Sequence, residues 1–344
     1  LHSGKMMLLD FQPEQLVDLM QSMGQPVYRA RQLATWLFQK MAASFEEMLD
    51  LPLSLRRSLQ EVAAVGQPVV VCRQVSAGNE AEKYLLQYPD GQRVECVLMT
   101  YRHGRSLCVS TQAGCRMGCR LCASTIGGLA RNLTAGEIFG QLAAVSRKKK
   151  ERITHLVLMG SGEPLDNLAQ VERFLLLVTS AQGPQISWRR ITVSTCGLVP
   201  GILALARRGW PLTLAVSLHA PDDQLRNQLM PVNKKYPLSE LMQACQEYVR
   251  CTGRRITFEY TLLAGVNDTP AHAAALVRLL KGLLCHVNLI PYNEVPERPF
   301  RRSRRMEEFR HCLLQGGVKA TVRRSLGGDI DAACGQLRRR SPQV

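Results

Sequence analysis

An α/β fold, built as a parallel sheet or an open β/α barrel, is what this sequence predicts. Three observations carry that expectation. From about residue 105 onward, short apolar runs rich in β-branched residues alternate with helical stretches, and the alternation repeats six times. Polar, often glycine-bearing motifs sit at the ends of those runs, where the ligands of such sheets gather. The chain has 344 residues, 46% of them hydrophobic and 21% charged, enough for a sizeable core in one large domain with a smaller one.

The first 66 residues read as helical. "PEQLVDLMQSM", "RARQLATWLFQKM" and "LPLSLRRSLQEVAA" place apolar residues at helical spacing. Arg29, Arg31, Lys40, Arg56 and Arg57 punctuate them, so the region is either a helical cap with a solvated basic face or an RNA-docking module. Residues 67–104 change period: "PVVVCRQV", "EKYLLQY" and "QRVECVLMTY" are strand-like, and the Asp-Gly of "YPDGQR" supplies a hairpin turn. A small antiparallel sheet linking the cap to the core is expected. The core, 105–330, has candidate strands in "SLCVST", "ITHLVLMG", "RITVSTCG", "LTLAVSLHA", "RITFEYTLL", "CHVNLIPYN" and "VKATVRR". Helices are expected near 134–147, 168–180, 199–208, 238–251, 270–284 and 304–315. Thr134 and Glu137 form a capping box that opens the first of them. Residues 331–344 make a C-terminal segment ending in a basic tail, "RRRSPQV". No internal repeat or low-complexity tract is evident.

The net charge of +16 points to a polyanionic partner, most often nucleic acid. No apolar run approaches the roughly 18 residues of a membrane span, and "LHSGKMMLLDFQPEQL" has no signal-peptide pattern. A cytoplasmic protein is expected. In a reducing compartment, clustered cysteines bind metal or react more often than they form disulfides.

Three of the twelve cysteines, Cys115, Cys119 and Cys122, cluster within "STQAGCRMGCRLCAST" at C-x3-C-x2-C spacing. Structural zinc wants four ligands in a tetrahedron. An iron–sulfur cubane also normally takes four thiolates, and one held by three leaves an iron open to a small ligand. The spacing, placed after a first strand, resembles that of radical SAM enzymes, in which S-adenosylmethionine (SAM) chelates that open iron. "LMGSGEPL" resembles the glycine-glutamate motif by which such enzymes hold the SAM amino group. Gly160 and Gly162 allow close approach of the backbone to a ligand, and Glu163 can accept from an amine.

The likeness then extends over nearly the whole chain. "CVSTQAGCRMGCRLCASTIGGLARNLTAGEI", "MGSGEPLDN", "VSLHAPDDQLRNQLMPVN", "NLIPYN", "GGDIDAACGQLR" and the N-terminal "YRARQLATWLFQK" together resemble the RlmN/Cfr family of radical SAM RNA methyltransferases, and its RlmN branch most. The resemblance implies a radical SAM open (β/α)6 partial barrel carrying an N-terminal helical domain and a small β linker. It implies one [4Fe-4S] cluster on Cys115, Cys119 and Cys122, and two SAM molecules per turnover. The activity implied is methylation of carbon 2 of an adenosine in the peptidyl-transferase centre of 23S rRNA, and of tRNA beside the anticodon. The Cfr branch methylates carbon 8 of the same base. One departure is Ser161, where the family usually has a second methionine.

Residue roles follow from the same resemblance. Cys334, in "DAACGQL", first takes a methyl group from SAM. A second SAM, cleaved at the cluster, gives a radical that removes a hydrogen atom from that methyl. The methylene radical adds to the adenine ring, Cys108 resolves the covalent adduct by forming a disulfide with Cys334, and Glu95 accepts the ring proton. Gly162, Glu163, Ser194, Ser217, Leu218, His219 and Asn293 are carried over as SAM contacts. Read without the family, Cys334 is a free thiol near a chain end, Cys108 a small buried hydrophobe and Glu95 a solvent-facing carboxylate. Cys72, Cys96, Cys196, Cys245, Cys251, Cys285 and Cys312 read as packing.

An RNA partner agrees with the basic clusters "ERPFRRSRRMEEFRH", with Arg298, Arg301, Arg302, Arg304 and Arg305, and "SRKKKER" at 146–152. The family also implies a reductant such as flavodoxin, and nothing in the sequence demands more than a monomer. Two further readings stay open here: a radical SAM activase, which needs neither Cys108 nor Cys334, and a zinc-stabilised RNA-binding module.

Overall fold

The computed structural model describes residues 4–149, 152–333 and 335–337. Its N-terminal part is a small helical body closed by a parallel bridge of β1 (Met6–Met7) with β2 (Ala63–Ala64). Between these lie α1 (Pro13–Ser22), α2 (Tyr28–Ala34) and α3 (Leu53–Val62). α2 does not end at Ala34 but runs on through a wider turn, Thr35–Gln39, that buries Leu37 and Phe38.

β3 (Val69–Val75), β4 (Ala81–Gln87), β5 (Arg93–Tyr101) and β6 (Gly104–Cys108) follow as an antiparallel meander. The Asp-Gly turn sits between β4 and β5: Gly91 has φ +83°, and Asp90 Oδ1 accepts from the Gln92 N–H at 3.0 Å. Sequence alone suggested a separate linking sheet. The meander is instead continuous with the core, because β6 also pairs in parallel with a core strand.

That core runs β6, β7 (Gln112–Gly114), β8 (Leu129–Asn132), α4 (Ala135–Lys149), β9 (His155–Leu158), α5 (Leu168–Thr179), β10 (Ile191–Thr195), α6 (Val199–Arg208) and β11 (Thr213–Ser217). It continues through α7 (Asp223–Leu229), α8 (Leu238–Thr252), β12 (Ile256–Leu262), α9 (Pro270–Leu280), β13 (Cys285–Pro291), α10 (Met306–Gln315) and β14 (Ala320–Val322). The strand order of the ten-stranded sheet is β14-β13-β12-β11-β10-β9-β6-β5-β4-β3. The seven expected core runs are its seven parallel strands.

The capping box forms as read: Glu137 N–H donates to Thr134 Oγ1 at 3.1 Å, and Thr134 N–H to Glu137 Oε2 at 3.0 Å. Helix α9 stops at Leu280 rather than 284, and Gly282, at φ +81°, turns the chain there. The short α7 was not expected from periodicity. It is capped by Asp222, which accepts from the Leu225 N–H at 2.9 Å.

Apolar side chains of the helical body and the barrel form one continuous core. Phe38 meets Phe139 edge-on at 5.6 Å. Asp10 caps α4 by accepting from the Gly136 N–H at 2.9 Å. A Cβ at 136 would stand 2.4 Å from the Leu9 backbone, so glycine permits this docking. Among the described residues no helix is long and apolar enough to cross a membrane.

Candidate active site

The three-cysteine loop is tied at its base by a two-stranded sheet that sequence did not foretell: β7 pairs with β8, Gln112 opposite Asn132 and Gly114 opposite Leu129. Within the loop, the Thr125 hydroxyl lies 3.1 Å from the Cys119 carbonyl and 3.0 Å from that of Cys122. Arg298, from the loop after β13, donates to the Cys122 carbonyl at 3.1 Å and to Thr125 Oγ1 at 2.8 Å.

Cys115, Cys119 and Cys122 line one cleft at the C-terminal ends of the parallel strands, together with Gly162, Glu163, Ser194, Ser217, His219 and Asn293. Burial pushes the Cys115 thiol up to about 12, and raises Cys119 and Cys122 as well. Thiols so placed ionise only against a cation. Among the described residues, no three His, Cys, Asp or Glu side chains are grouped to hold a single metal ion. Three soft thiol donors around an open cleft suit a larger iron–sulfur body.

Glu163 is 3% exposed, and burial raises its pKa. Its Oε1 accepts from the Leu165 N–H at 3.0 Å and its Oε2 from the Cys196 N–H at 2.7 Å. Each oxygen keeps a lone pair for a ligand ammonium. Gln112 locks this turn: its Oε1 accepts from the Glu163 N–H at 2.9 Å, and its Nε2 donates to Asn132 and Asp166, both at 2.8 Å. Arg116, inside the cysteine loop, also binds Asp166, at 2.9 Å through Nε. The glycines were read as room for a ligand, but the close neighbour is the chain itself. A Cβ at Gly162 (φ +107°) would lie 2.6 Å from Gln112, and one at Gly160 would lie 2.6 Å from the Val109 carbonyl.

Ser194, next to last in β10, and Ser217, last in β11, lie on adjacent strands, and Asn293 Oδ1 accepts from the Ser325 hydroxyl at 2.7 Å. His219, at φ +59°, is buried, and its Nδ1 accepts from the Thr261 N–H at 3.0 Å. Burial, aided by Arg226, holds its pKa down to about 3, so the ring is neutral with its proton on Nε2. Leu218 is fully buried in the core and does not line the cleft; its backbone bonds Glu259 and Arg226.

A second chamber adjoins the first. Cys108, 6% exposed, lines it with Val97, Met99, Leu326, Ala332 and Ala333. Met159, Ile290, Asn293 and Arg323 line both chambers. Cys334 lies outside the described residues, but Ala333 lines the second chamber and Gly335 the first. Glu95 shares the Val97 face of β5 and is 5% exposed, so it is not the solvent-facing carboxylate that strand alternation allowed. Lys83 Nζ stands 3.3 Å from its Oε1. Among the described residues no disulfide joins two cysteines.

Residues 109–277 match the radical SAM superfamily, and residues 6–65 match the ribosomal RNA large subunit methyltransferase N-terminal domain. A protein of Pelotomaculum thermopropionicum named "Probable dual-specificity RNA methyltransferase RlmN" is 58% identical over 94% of this chain and 89% of its own length. The chain belongs to the RlmN family. A Clostridium perfringens protein of the same name is 50% identical over 96% of both chains. A solved structure, a radical SAM methyltransferase from Sphaerobacter thermophilus, superposes with a TM-score of 0.95 at 45% identity, covering 97% of this chain and 100% of that one. Membership of the RlmN family carries with it SAM and a [4Fe-4S] cluster as cofactors.

Within this RlmN-family fold, sequence reading missed four groups. Cys196, assigned to packing, lies in the cleft wall, where its N–H holds Glu163. Glu259 is a buried carboxylate on a barrel strand. Its pKa is raised by burial, and it is held by Asn288 at 3.0 Å and by Arg323 at 3.6 Å. Its signal was a lone acid in the apolar run "RITFEYTLL". Arg226 is fully buried and donates to the carbonyls of Cys196, Ser217 and Leu218, bracing two strand ends at once. Arg298 was expected to face phosphate; it turns inward to the cysteine loop. Ser161, where the family has methionine, is 3% exposed, and its hydroxyl makes no hydrogen bond.

Proposed function

We propose that this protein methylates carbon 2 of an adenosine in 23S rRNA, and of a tRNA adenosine beside the anticodon, through an S-methylcysteine at Cys334. The observation that carries this reading is the adjoining pair of chambers, with Ala333 in the wall of one and Gly335 in the wall of the other. Cys115, Cys119 and Cys122 would hold the cluster, and Glu163, Ser194, Ser217, His219 and Asn293 would hold SAM. When bound, the cluster and SAM supply the one-electron chemistry that removes a hydrogen atom from a methyl group.

The chain's own residues do the rest. The Cys334 thiolate takes the methyl group as a nucleophile. The apolar second chamber keeps water from the reacting carbon. Glu95, paired with Lys83, accepts the proton that leaves the ring, which requires reach to that proton in the complex. The Cys108 thiolate attacks the Cys334 sulfur; the S–S bond forms as the sulfur–methylene bond breaks, the released carbon takes up a proton to complete the methyl group, and the reductant then reduces the transient disulfide. The target base has to leave its stack to enter. Exposed Arg301, Arg302, Arg304 and Arg305 suit the phosphates around it. In this reading the enzyme works in the cytoplasm as a monomer, supplied by a flavodoxin-type reductant.

The test is anaerobic turnover with SAM, reductant and a ribosomal RNA fragment containing the peptidyl-transferase loop, followed by nucleoside mass spectrometry. The expected product is 2-methyladenosine, absent with Cys334→Ala. An 8-methyladenosine product would overturn the carbon-2 assignment. RNA affinity should also fall steeply between low and physiological salt; a flat response would remove the arginine surface from the reading.

A further inference from the structure

The C-terminal segment is anchored on the cysteine loop itself. The N–H of Ala123, the residue after Cys122, donates to the Gly335 carbonyl at 2.7 Å. The hydroxyl of Ser124, 7% exposed, donates to the Leu337 carbonyl at 2.8 Å. These acceptors lie one and three residues beyond position 334. Arg298 also grips this loop, through the Cys122 carbonyl and Thr125. The loop that carries Arg298 reaches the C-terminal segment too: Gln336 Nε2 donates to the Glu294 carbonyl at 3.4 Å, and Gln336 Oε1 accepts from the Ala333 N–H at 3.1 Å. Residues 122–125, 294–298 and 335–337 are therefore bonded to one another pairwise.

We propose that Ser124 is a positioning residue for Cys334, and that loading of the cysteine loop and docking of residues 335–337 stabilise each other. The proposal rests on reading Cys334 as the methyl carrier. Its physical basis is adjacency. The groups that bind the segment are the two residues following Cys122, so whatever orders Cys122 orders its neighbours. Coupling between two ordering events is reciprocal. A loop held by its cluster presents the Ala123 N–H and the Ser124 hydroxyl in fixed positions. A loop without one leaves the Gly335 and Leu337 carbonyls to find water.

Hydrogen exchange by mass spectrometry on the full chain, with and without its reconstituted cluster, tests this. Wild type should exchange more slowly over residues 331–337 when the cluster is present. In loaded Ser124→Ala, exchange there should quicken about five- to tenfold, the effect of losing one buried hydrogen bond, with iron content per chain unchanged. Ser124→Thr, which keeps the hydroxyl, should behave as wild type. Equal exchange with and without cluster overturns the coupling. Loaded Ser124→Ala indistinguishable from wild type overturns the role of Ser124, as does a loss of iron without faster exchange. Peptide masses from the same digests show whether Cys334 carries a methyl group. Its absence in wild type would defeat the functional reading, while the exchange data still decide the docking.

Discussion

The two chambers share four wall residues and are built on different principles. The cofactor cleft sits at the C-terminal ends of parallel strands, and its polar groups arrive one or two per strand: Glu163 after β9, Ser194 on β10, Ser217 on β11, Asn293 after β13. That is where any sheet of this kind gathers a ligand. The Cys108 chamber is walled by Val97, Met99, Leu326 and Ala332, from the antiparallel meander and the C-terminal segment. The strand–helix repeat supplies only part of its wall, through Cys108 and the four shared residues. The first chamber gathers directed polar groups at strand ends, and the second sets the Cys108 thiol among mostly apolar side chains. The contrast teaches that the strand ends of the barrel supply a polar cleft, and that the chamber at its edge is completed by segments far apart in the chain.

Breaking each chamber should give different failures. Cys119→Ala should abolish iron binding, methylation of Cys334 and turnover together. Cys108→Ala should also lose turnover, yet keep its iron and its methylated Cys334 and accumulate a nuclease-sensitive protein–RNA adduct visible on a denaturing gel. If both variants failed identically, with no adduct, the division of labour between the chambers would be wrong.

Glu163→Gln comes next in size. It exchanges an acceptor already bound to two backbone N–H groups for a neutral amide, and SAM affinity should weaken about ten- to a hundredfold, as for a hydrogen bond between charged groups. Equilibrium dialysis on the reconstituted protein measures this, and an unchanged affinity would take Glu163 out of the SAM site.

A smaller effect separates the cofactor cleft by its response to acid. His219 stays neutral in the folded protein down to about pH 3, whereas the unfolded chain takes a proton below the ordinary value near 6.5. The unfolded state alone binds that proton between the two values. Stability is thus indifferent to this ring above pH 6.5 and falls as pH drops below it, by up to about 1.4 kcal/mol per unit. Urea midpoints at pH 7 and pH 5, compared with those of His219→Asn, isolate the contribution; equal losses in both proteins would refute it. Among the described residues no histidine lines the second chamber.

Smallest of all is Ser161→Ala. The buried hydroxyl makes no hydrogen bond, so its removal should cost nothing or stabilise by up to about 1 kcal/mol. A destabilisation well beyond that in thermal unfolding would reveal a partner for Ser161.

By itself the sequence determined the repeat and the cofactor loop. The seven parallel strands and their helices were legible because short β-branched apolar runs alternate with helical periodicity, and because capping chemistry such as Thr134 with Glu137 is local. The cysteine spacing and the Gly-Glu turn were legible for the same reason: ligands that come from one loop are neighbours in sequence. Only the tertiary structure decided what depends on distant segments meeting. It joined the meander to the barrel, turned Glu95 inward and put Cys108 beside Ala332 and Ala333, more than 200 residues away. It also turned Arg298 from the surface to the Cys122 carbonyl, set Arg226 beneath two strand ends, and laid Gly335 and Leu337 on Ala123 and Ser124. Periodicity reports which face of an element is buried but not what it is buried against, and these contacts are fixed by how the sheet extends past the barrel and where the chain's last turns come to rest.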